Sequence, residues 1–563
     1  MYVGVDVGGT YTDAVLLEKG RVRATAKVPT RPDLLSSLLE AFDKIIMQGF
    51  PTELIKKVVF STTMITNLIA EKKYDRVGLL VMPGPGLCSS AYNFPADTQI
   101  VSGVIDYRGR EIVPVDLAGV DQALAGFAAK NLHKIAIVGK FSSRNNVHEV
   151  QVEKYVRKKF PDWHCEVGHK VAGQLNFPRR VISTYLAAAT REKYQNFIRS
   201  VQEALAKRQL TAPVFILKAD GGTLPLSYSS ETAIETIFSG PAASTLGVQA
   251  LTPAGETSVV VDIGGTTTDL ALILSGVPLL SSKGARVNDY LTHVRTLAVK
   301  SVPIGGDSAV DRVGRDIIVY SERVGQPYCL GGPVPTPTDA LRVLGLVMLG
   351  DGERAGEAMR MLGEPLGISN EEVARRIISF VCDTIAREVR LMFTQWEQEP
   401  AYRVWEVLQK KKVRPNTVVG VGGGAAGLIT QIAARLGASP IIPPYAPVAN
   451  AIGAAVARPT LQVSLRADTE QGTYTILEEG YQDQLPAGHF DEGKAVELAK
   501  NWLFKRITRY GLEKDLKEVE VTRREVFNVV RDWVTVGRLY DVVVQSQRGI
   551  TYHVGIEVNE DDA

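Results

Sequence analysis

"VGVDVGGTYTDAVL" occupies residues 3–16, and 256 residues further on the chain reads "VVVDIGGTTTDLAL" at 259–272. Aligned over 3–17 and 259–273, the stretches share nine of fifteen residues: Val3, Val5, Asp6, Gly8, Gly9, Thr10, Thr12, Asp13 and Leu16 match Val259, Val261, Asp262, Gly264, Gly265, Thr266, Thr268, Asp269 and Leu272. Each copy runs from β-branched residues through a Gly-Gly turn into alternating apolar residues, a pattern that predicts strand, tight turn, strand. A structural hairpin needs the glycines but not the repeated Asp and Thr. Glycines remove the Cβ atoms that would obstruct an anion, so backbone N–H groups can converge on phosphate oxygens, and threonine hydroxyls add donors. An Asp just before the glycines, Asp6 or Asp262, faces the same space and can hold a hydrated Mg2+. Asp13 and Asp269 order the phosphate site or cap their hairpins. The repeat thus predicts two phosphate cradles, each opening one of two related domains.

A third glycine cluster lies in "NTVVGVGGGAAGLITQIAARLG" at 416–437: an apolar strand, a turn at Gly422, Gly423 and Gly424, and a helix with Leu428, Ile429, Ile432 and Ala433 on one face. Gly420, Gly422 and Ala425 also satisfy a loose G-x-G-x-x-A dinucleotide fingerprint, which requires an acidic residue at the end of the next strand. The next apolar run, "ASPIIPPYAP", has none. An adenosine-binding turn ranks above a Rossmann site.

The rest of the composition narrows the classes. A chain of 563 residues exceeds one ordinary core, so two to four domains are expected. With 64 basic and 62 acidic residues there is no basic excess, and no nucleic-acid or membrane partner is expected. No targeting segment and no stretch of about 18 uninterrupted apolar residues is read, so a cytoplasmic location is expected. Cys88, Cys165, Cys329 and Cys382 form no C-x-x-C pair and are read as reduced packing residues. The seven histidines show no zinc-binding spacing. The helix predicted from Ser369 onward carries Val373, Ile377, Val381, Ile385 and Val389 along one stripe. Beyond 460 a helix at "AVELAKNWLFKRITRYG" and strands at "VEVTRREVFNVV" and "GRLYDVVVQSQRG" predict a small α+β domain.

Two hairpins and a glycine turn in this order resemble the actin, Hsp70 and sugar-kinase superfamily, and "PIGGDSAVDRVG" at 303–314 is similar to its glycine-acidic turn after the second phosphate motif. Within it the closest resemblance is to the hydantoinase A and 5-oxoprolinase family, which includes acetone and acetophenone carboxylase subunits. It is carried by "STTMITNLIAEKK" (61–73), "RNNVHE" (144–149), "ADGGTLPL" (219–226), "ETIFSGPAAS" (235–244) and "PTPTDALRVLG" (335–345), together with the hairpins. Phe60 and Ser61 stand where that family usually writes His-Gly before the threonine pair.

The resemblance implies an α/β fold of two actin-like (ribonuclease H-like) domains around an ATP cleft, over 1–185 and 186–460, with the small α+β domain at 461–563. It implies ATP and Mg2+ as cofactors. Gly8, Gly9, Thr10, Thr12, Asp13, Gly264, Gly265, Thr266, Thr268, Asp269, Gly305, Gly306, Gly422, Gly423 and Gly424 would line the nucleotide, and Asp6 and Asp262 would carry catalysis and metal. The implied activity is ATP-dependent activation of a carbonyl oxygen in a cyclic amide or related small molecule. A second subunit of the hydantoinase B type, or a homo-oligomer, would complete it. The alternatives are a chaperone-like ATPase that remodels a partner enzyme and, below it, a sugar kinase.

Overall fold

The computed structural model describes residues 1–86, 92–253, 255–398, 413–516 and 518–555. Cys88 lies outside them, while Cys165, Cys329 and Cys382 are buried free thiols.

Both repeats fold as hairpins and each seeds a mixed sheet. In the first, Tyr2–Val7 runs antiparallel to Tyr11–Glu18 and parallel to Lys57–Thr62. The full order is Thr223–Pro225, Val214–Leu217, Lys57–Thr62, Tyr2–Val7, Tyr11–Glu18, Arg21–Pro29. In the second, Ser258–Ile263 runs antiparallel to Thr268–Leu274 and parallel to Thr417–Val421, with Val299–Val302 beyond the hairpin and Ser439–Ile441 beyond the parallel strand. The shared pattern is an antiparallel meander on one side of the first strand and parallel strands on the other. This duplicated α/β topology is the actin-like fold. Val3, Val5 and Val7, like Val259, Val261 and Ile263, are almost fully buried, each such side chain contributing about 1.5–3 kcal/mol.

A cut at 185 falls inside the helix Phe177–Lys207, and the strands Val214–Leu217 and Thr223–Pro225 return to the first sheet. The chain must come back because Val214–Leu217 pairs in parallel with Lys57–Thr62. Between these visits it builds a separate four-stranded parallel sheet from Gly78–Met82, Thr98–Ile100, Lys134–Gly139 and His164–Val167. The first lobe is therefore discontinuous in sequence.

Two helices rich in small residues, Ser239–Leu251 and Ala449–Val456, cross where the lobes meet. A Cβ on Gly247 would overlap the carbonyl oxygen of Ala449, and one on Gly453 that of Ala243. Gly4 in the first strand approaches Ala451 equally closely. These contacts hold both hairpins against one helical crossing. The stripe on the helix Asn370–Glu397 is buried as its period predicts, and Ser369 caps it by accepting from Glu372 N at 3.2 Å. Glu372 itself pairs with Arg376 at 2.8 Å.

The C-terminal region is a five-stranded antiparallel sheet, ordered Tyr481–Gln484, Thr473–Ile476, Gln462–Asp468, Val534–Ser546, Val519–Arg531, packed on the helix Glu492–Arg509. Among the described residues no helix is long and apolar enough to cross a membrane.

Candidate nucleotide site

The hairpin register places Asp6 opposite Asp13 and Asp262 opposite Asp269, one carboxylate pair on each lobe. Asn450, in the first turn of the helix Ala449–Val456, ties the lobes together. Its Nδ2 donates to Asp6 Oδ2 at 3.3 Å and to Asp262 Oδ2 at 3.2 Å. Ser244, on the other crossing helix, donates to the same oxygen of Asp262. Ser61, at the end of the strand Lys57–Thr62, stands opposite Asp6 in the parallel register and donates to Ser239 Oγ at 3.4 Å. Among the described residues Asp6 Oδ1 is buried with no hydrogen-bond partner.

Burial dominates the electrostatics of all four carboxyls. It pushes Asp6 up to about 7, opposed by the neighbouring Ser61 hydroxyl and the Asn450 amide, and Asp269 up to about 7, opposed by the neighbouring Ser301 hydroxyl. Asp262 is raised by burial, opposed by Ser244 and Asn450. Asp13 is raised by burial too, but Lys27 pulls it back from 2.6 Å. Like-charge repulsion adds to burial, Asp13 and Asp262 raising Asp6, and Asp262 raising Asp13 and Asp269.

The turns face one another. A Cβ on Gly265 would come 3.4 Å from Thr10 Oγ1 and 2.6 Å from Asp307 Oδ2. Gly9 and Gly423, by contrast, look into open space, as a backbone that must admit a ligand should. Gly422, with φ of +82°, lies so close that a Cβ would stand 2.6 Å from Asp262 Oδ1. Gly424 rests against Ile263, so the third glycine turn abuts the second hairpin. Gly305 and Gly306 lie behind that hairpin, where Gly306 N donates to Gly264 O at 2.9 Å and Asp307 N to Gly265 O at 2.7 Å. These bonds brace the turn.

Two expected ligands of the nucleotide are committed elsewhere. Thr12 is buried with its hydroxyl 2.9 Å from that of Thr30, and Thr268 donates to Ile304 O at 2.7 Å. Successive side chains alternate across a strand, so each threonine points away from the Asp beside it. Thr266 is exposed and Thr10 half-buried.

Composition and spacing did not single out Asn450, Ser244, Lys27 or Asp307. The signal for Asn450 was the lone polar residue in "VANAIGAAVA", a run whose small side chains mark a close helix crossing. The threonine motif and the Ser-Gly-Pro run interlock beside Asp6. Ser239 Oγ donates to Thr62 O at 3.0 Å, and Phe238 N donates to Thr66 Oγ1 at 3.1 Å. His148 is structural, its Nε2 2.8 Å from Glu111 Oε1.

Among the described residues no group of three or more His, Cys, Asp or Glu side chains could enclose a metal ion. What the lobes present is Asp6 with an orphaned oxygen and Asp262 beside it, a donor set suited to Mg2+ that keeps most of its water.

The hydantoinase/oxoprolinase family matches residues 180–463, and its N-terminal region matches residues 2–160. Caprolactamase subunit alpha of Pseudomonas jessenii is 27% identical over 499 residues, covering 78% of this chain and 68% of that protein. The acetophenone carboxylase gamma subunit of Aromatoleum aromaticum is 26% identical, covering 69% of this chain and 60% of that one. The crystal structure of ATP-dependent caprolactamase from P. jessenii superposes with a TM-score of 0.72 at 21% identity, over 97% of this chain and 88% of that one. Nucleotide-free acetone carboxylase gives a TM-score of 0.72 at 18% identity, with the same coverage. At such identities the structural likeness establishes the fold, and the matched sequence regions establish the kinship: the chain belongs to the hydantoinase/oxoprolinase family.

Proposed function

We propose that this chain is the ATP-using component of an enzyme that phosphorylates the carbonyl oxygen of a cyclic amide or related carbonyl compound. The observation that carries the reading is Asn450 bridging Asp6 and Asp262, which makes two distant phosphate hairpins one site. The N–H groups around Gly8, Gly9, Gly264 and Gly265 would hold the phosphates, and the Gly422–Gly424 turn the adenosine. With Thr10 so near Gly265, the lobes must part to admit nucleotide and close again over it. Closure excludes water, which strengthens stabilisation of charge on the transferring phosphoryl group. Mg2+, held through water by Asp6 and Asp262, would supply charge neutralisation at the β- and γ-phosphates.

Transfer of the γ-phosphoryl group to an amide oxygen releases ADP and turns the carbonyl carbon into a strong electrophile. Water adds there, the tetrahedral adduct expels the ring nitrogen, which takes up a proton, and a second water hydrolyses the resulting acyl phosphate to carboxylate and inorganic phosphate. Ser61, opposite Asp6 in the strand register, and the Thr62–Asn67 segment would border this reaction zone. The second half of the reaction is assigned to a companion subunit. A docking surface for one is at hand: Phe527, Val530, Val534 and Val536 are exposed on the C-terminal hairpin and Trp533 at its tip is 99% exposed.

Phosphate release from Mg-ATP should rise when the right compound is offered from a panel of lactams, hydantoins, 5-oxoproline and small ketones, with ATP turnover and ring opening stoichiometric once a companion is supplied. ATP turnover stimulated by a protein alone, and by none of these compounds, would overturn the reading.

A further inference from the structure

A cavity of ≈ 480 Å³ lies where the inserted four-stranded layer, the segment 281–295 and the C-terminal sheet meet, and no residue of either Gly-Gly hairpin lines it. Five arginines reach its wall, Arg144, Arg179, Arg295, Arg466 and Arg523, against one carboxylate, Asp541. That carboxylate is taken: Arg523 pairs with it at 2.9 Å. Arg295 donates to the neutral amides of Gln462 and Gln545. A smaller adjoining pocket shares Arg144 and Arg466 and adds Asp468, which lies 3.6 Å from Arg108. Among the described residues Arg144 and Arg466 point into shared space and form no ion pair of their own; Arg466 stands opposite Asp541 in the strand register, and Asp541 and Asp468 attract it from farther away.

This is an unfavourable arrangement for the protein alone. The Nε atoms of Arg144 and Arg523 are buried without an acceptor, and desolvated like charges repel. Burial first, then neighbouring Arg466 and Arg108, push Arg144 down to about 10. His293 on the same wall is pushed by burial down to about 4, so it adds no charge at neutral pH. An anion supplies what is missing, since each guanidinium fork matches a carboxylate or phosphate in a bidentate pair. The volume falls in the range of small-ligand sites.

We propose that this cavity binds a small polyanion carrying two or more carboxylate or phosphate groups, with Arg144 and Arg466 as the principal forks and Arg179 and Arg295 flanking them. Arg144 comes from the inserted layer of the first lobe and Arg466 from the C-terminal sheet, so the ligand clamps these two parts together. The site is separate from the proposed nucleotide cleft and stands whether or not ATP binds there.

Titration calorimetry of the full chain in low salt without Mg2+, using citrate and fructose 1,6-bisphosphate in separate arms, tests this. At least one of these probes should bind saturably, with affinity about ten-fold lower in Arg144→Gln and in Arg466→Gln. Preference for citrate assigns a polycarboxylate, preference for the bisphosphate a phosphorylated metabolite. Without ligand, both variants should melt at or above the wild-type temperature, because a repelling charge is gone. Arg466→Lys, which keeps the charge and loses the fork, should bind with intermediate affinity. Saturable binding of neither probe, or unchanged affinity in both Gln variants, would overturn the proposal.

Discussion

The two hairpins share Asp-x-Gly-Gly-Thr-x-Thr-Asp and the same strand register, yet they treat their second carboxylate differently. On the first lobe the third strand places Lys27 opposite Asp13, and on the second lobe it places Ser301 opposite Asp269. Lys27 holds Asp13 in an ion pair at 2.6 Å and also reaches Pro447 O at 3.2 Å, whereas Ser301 offers Asp269 only a hydroxyl. One cross-strand position thus decides which repeat has a neutralised acid and which a poised one. The lesson is that a duplicated motif conserves the cradle, while its neighbours on the third strand set the charge.

The largest expected effect would erase the difference between the lobes. Asp6→Asn and Asp262→Asn should each lower Mg-ATP turnover by about 100-fold or more, the scale of removing one charge-stabilising group, with melting temperature at pH 7 not lowered. Wild-type phosphate release in either would separate that carboxylate from the chemistry.

The turns themselves sharpen the contrast. Gly9→Ala adds a methyl into open space, so it should leave stability unchanged and weaken ATP binding by about ten-fold through obstruction of the phosphate. Gly265→Ala forces the new methyl against Asp307, at a cost of about 1–3 kcal/mol in denaturant unfolding. Equal stability of the two variants would contradict the asymmetric crowding of the turns.

Titration provides a third comparison. Asp269 titrates near 4 when unfolded and at about 7 when folded, so between those values the native state keeps a proton that the unfolded chain has lost. Below pH 4 the group is neutral in both states. Stability without nucleotide therefore falls as pH rises from 4 to 7 and levels off above. Asp269→Asn should flatten part of that fall and melt higher than wild type at pH 8. Asp13→Asn should show less benefit there, because it discards the Lys27 ion pair. The smallest effect is expected from Ser301→Lys, which should bring Asp269 toward the Asp13 condition and reduce the pH dependence without changing the fold.

Much of this was legible in the sequence because hairpins and glycine turns are local: alternating apolar residues and Gly-Gly specify them within a dozen positions. The helix at Asn370–Glu397 and the long C-terminal strands were legible for the same reason. The return of Val214–Leu217 to the first sheet was not, since parallel pairing across more than 150 residues leaves no local signature. Nor did Asn450 stand out, because an amide becomes a bridge only when two helices of small residues bring both lobes to it. Thr12 and Thr268 repeat as faithfully as the aspartates, and only strand alternation shows that they tie the hairpins from behind.

The central claim is that Asp6 and Asp262, 256 residues apart in sequence, act in one site. Steady-state phosphate release from Mg-ATP by wild type, Asp6→Asn, Asp262→Asn and the double variant tests it most directly. A single shared site predicts that the double variant loses little more than either single one. Independent losses that multiply, or single variants that each keep about half of the turnover, would contradict it.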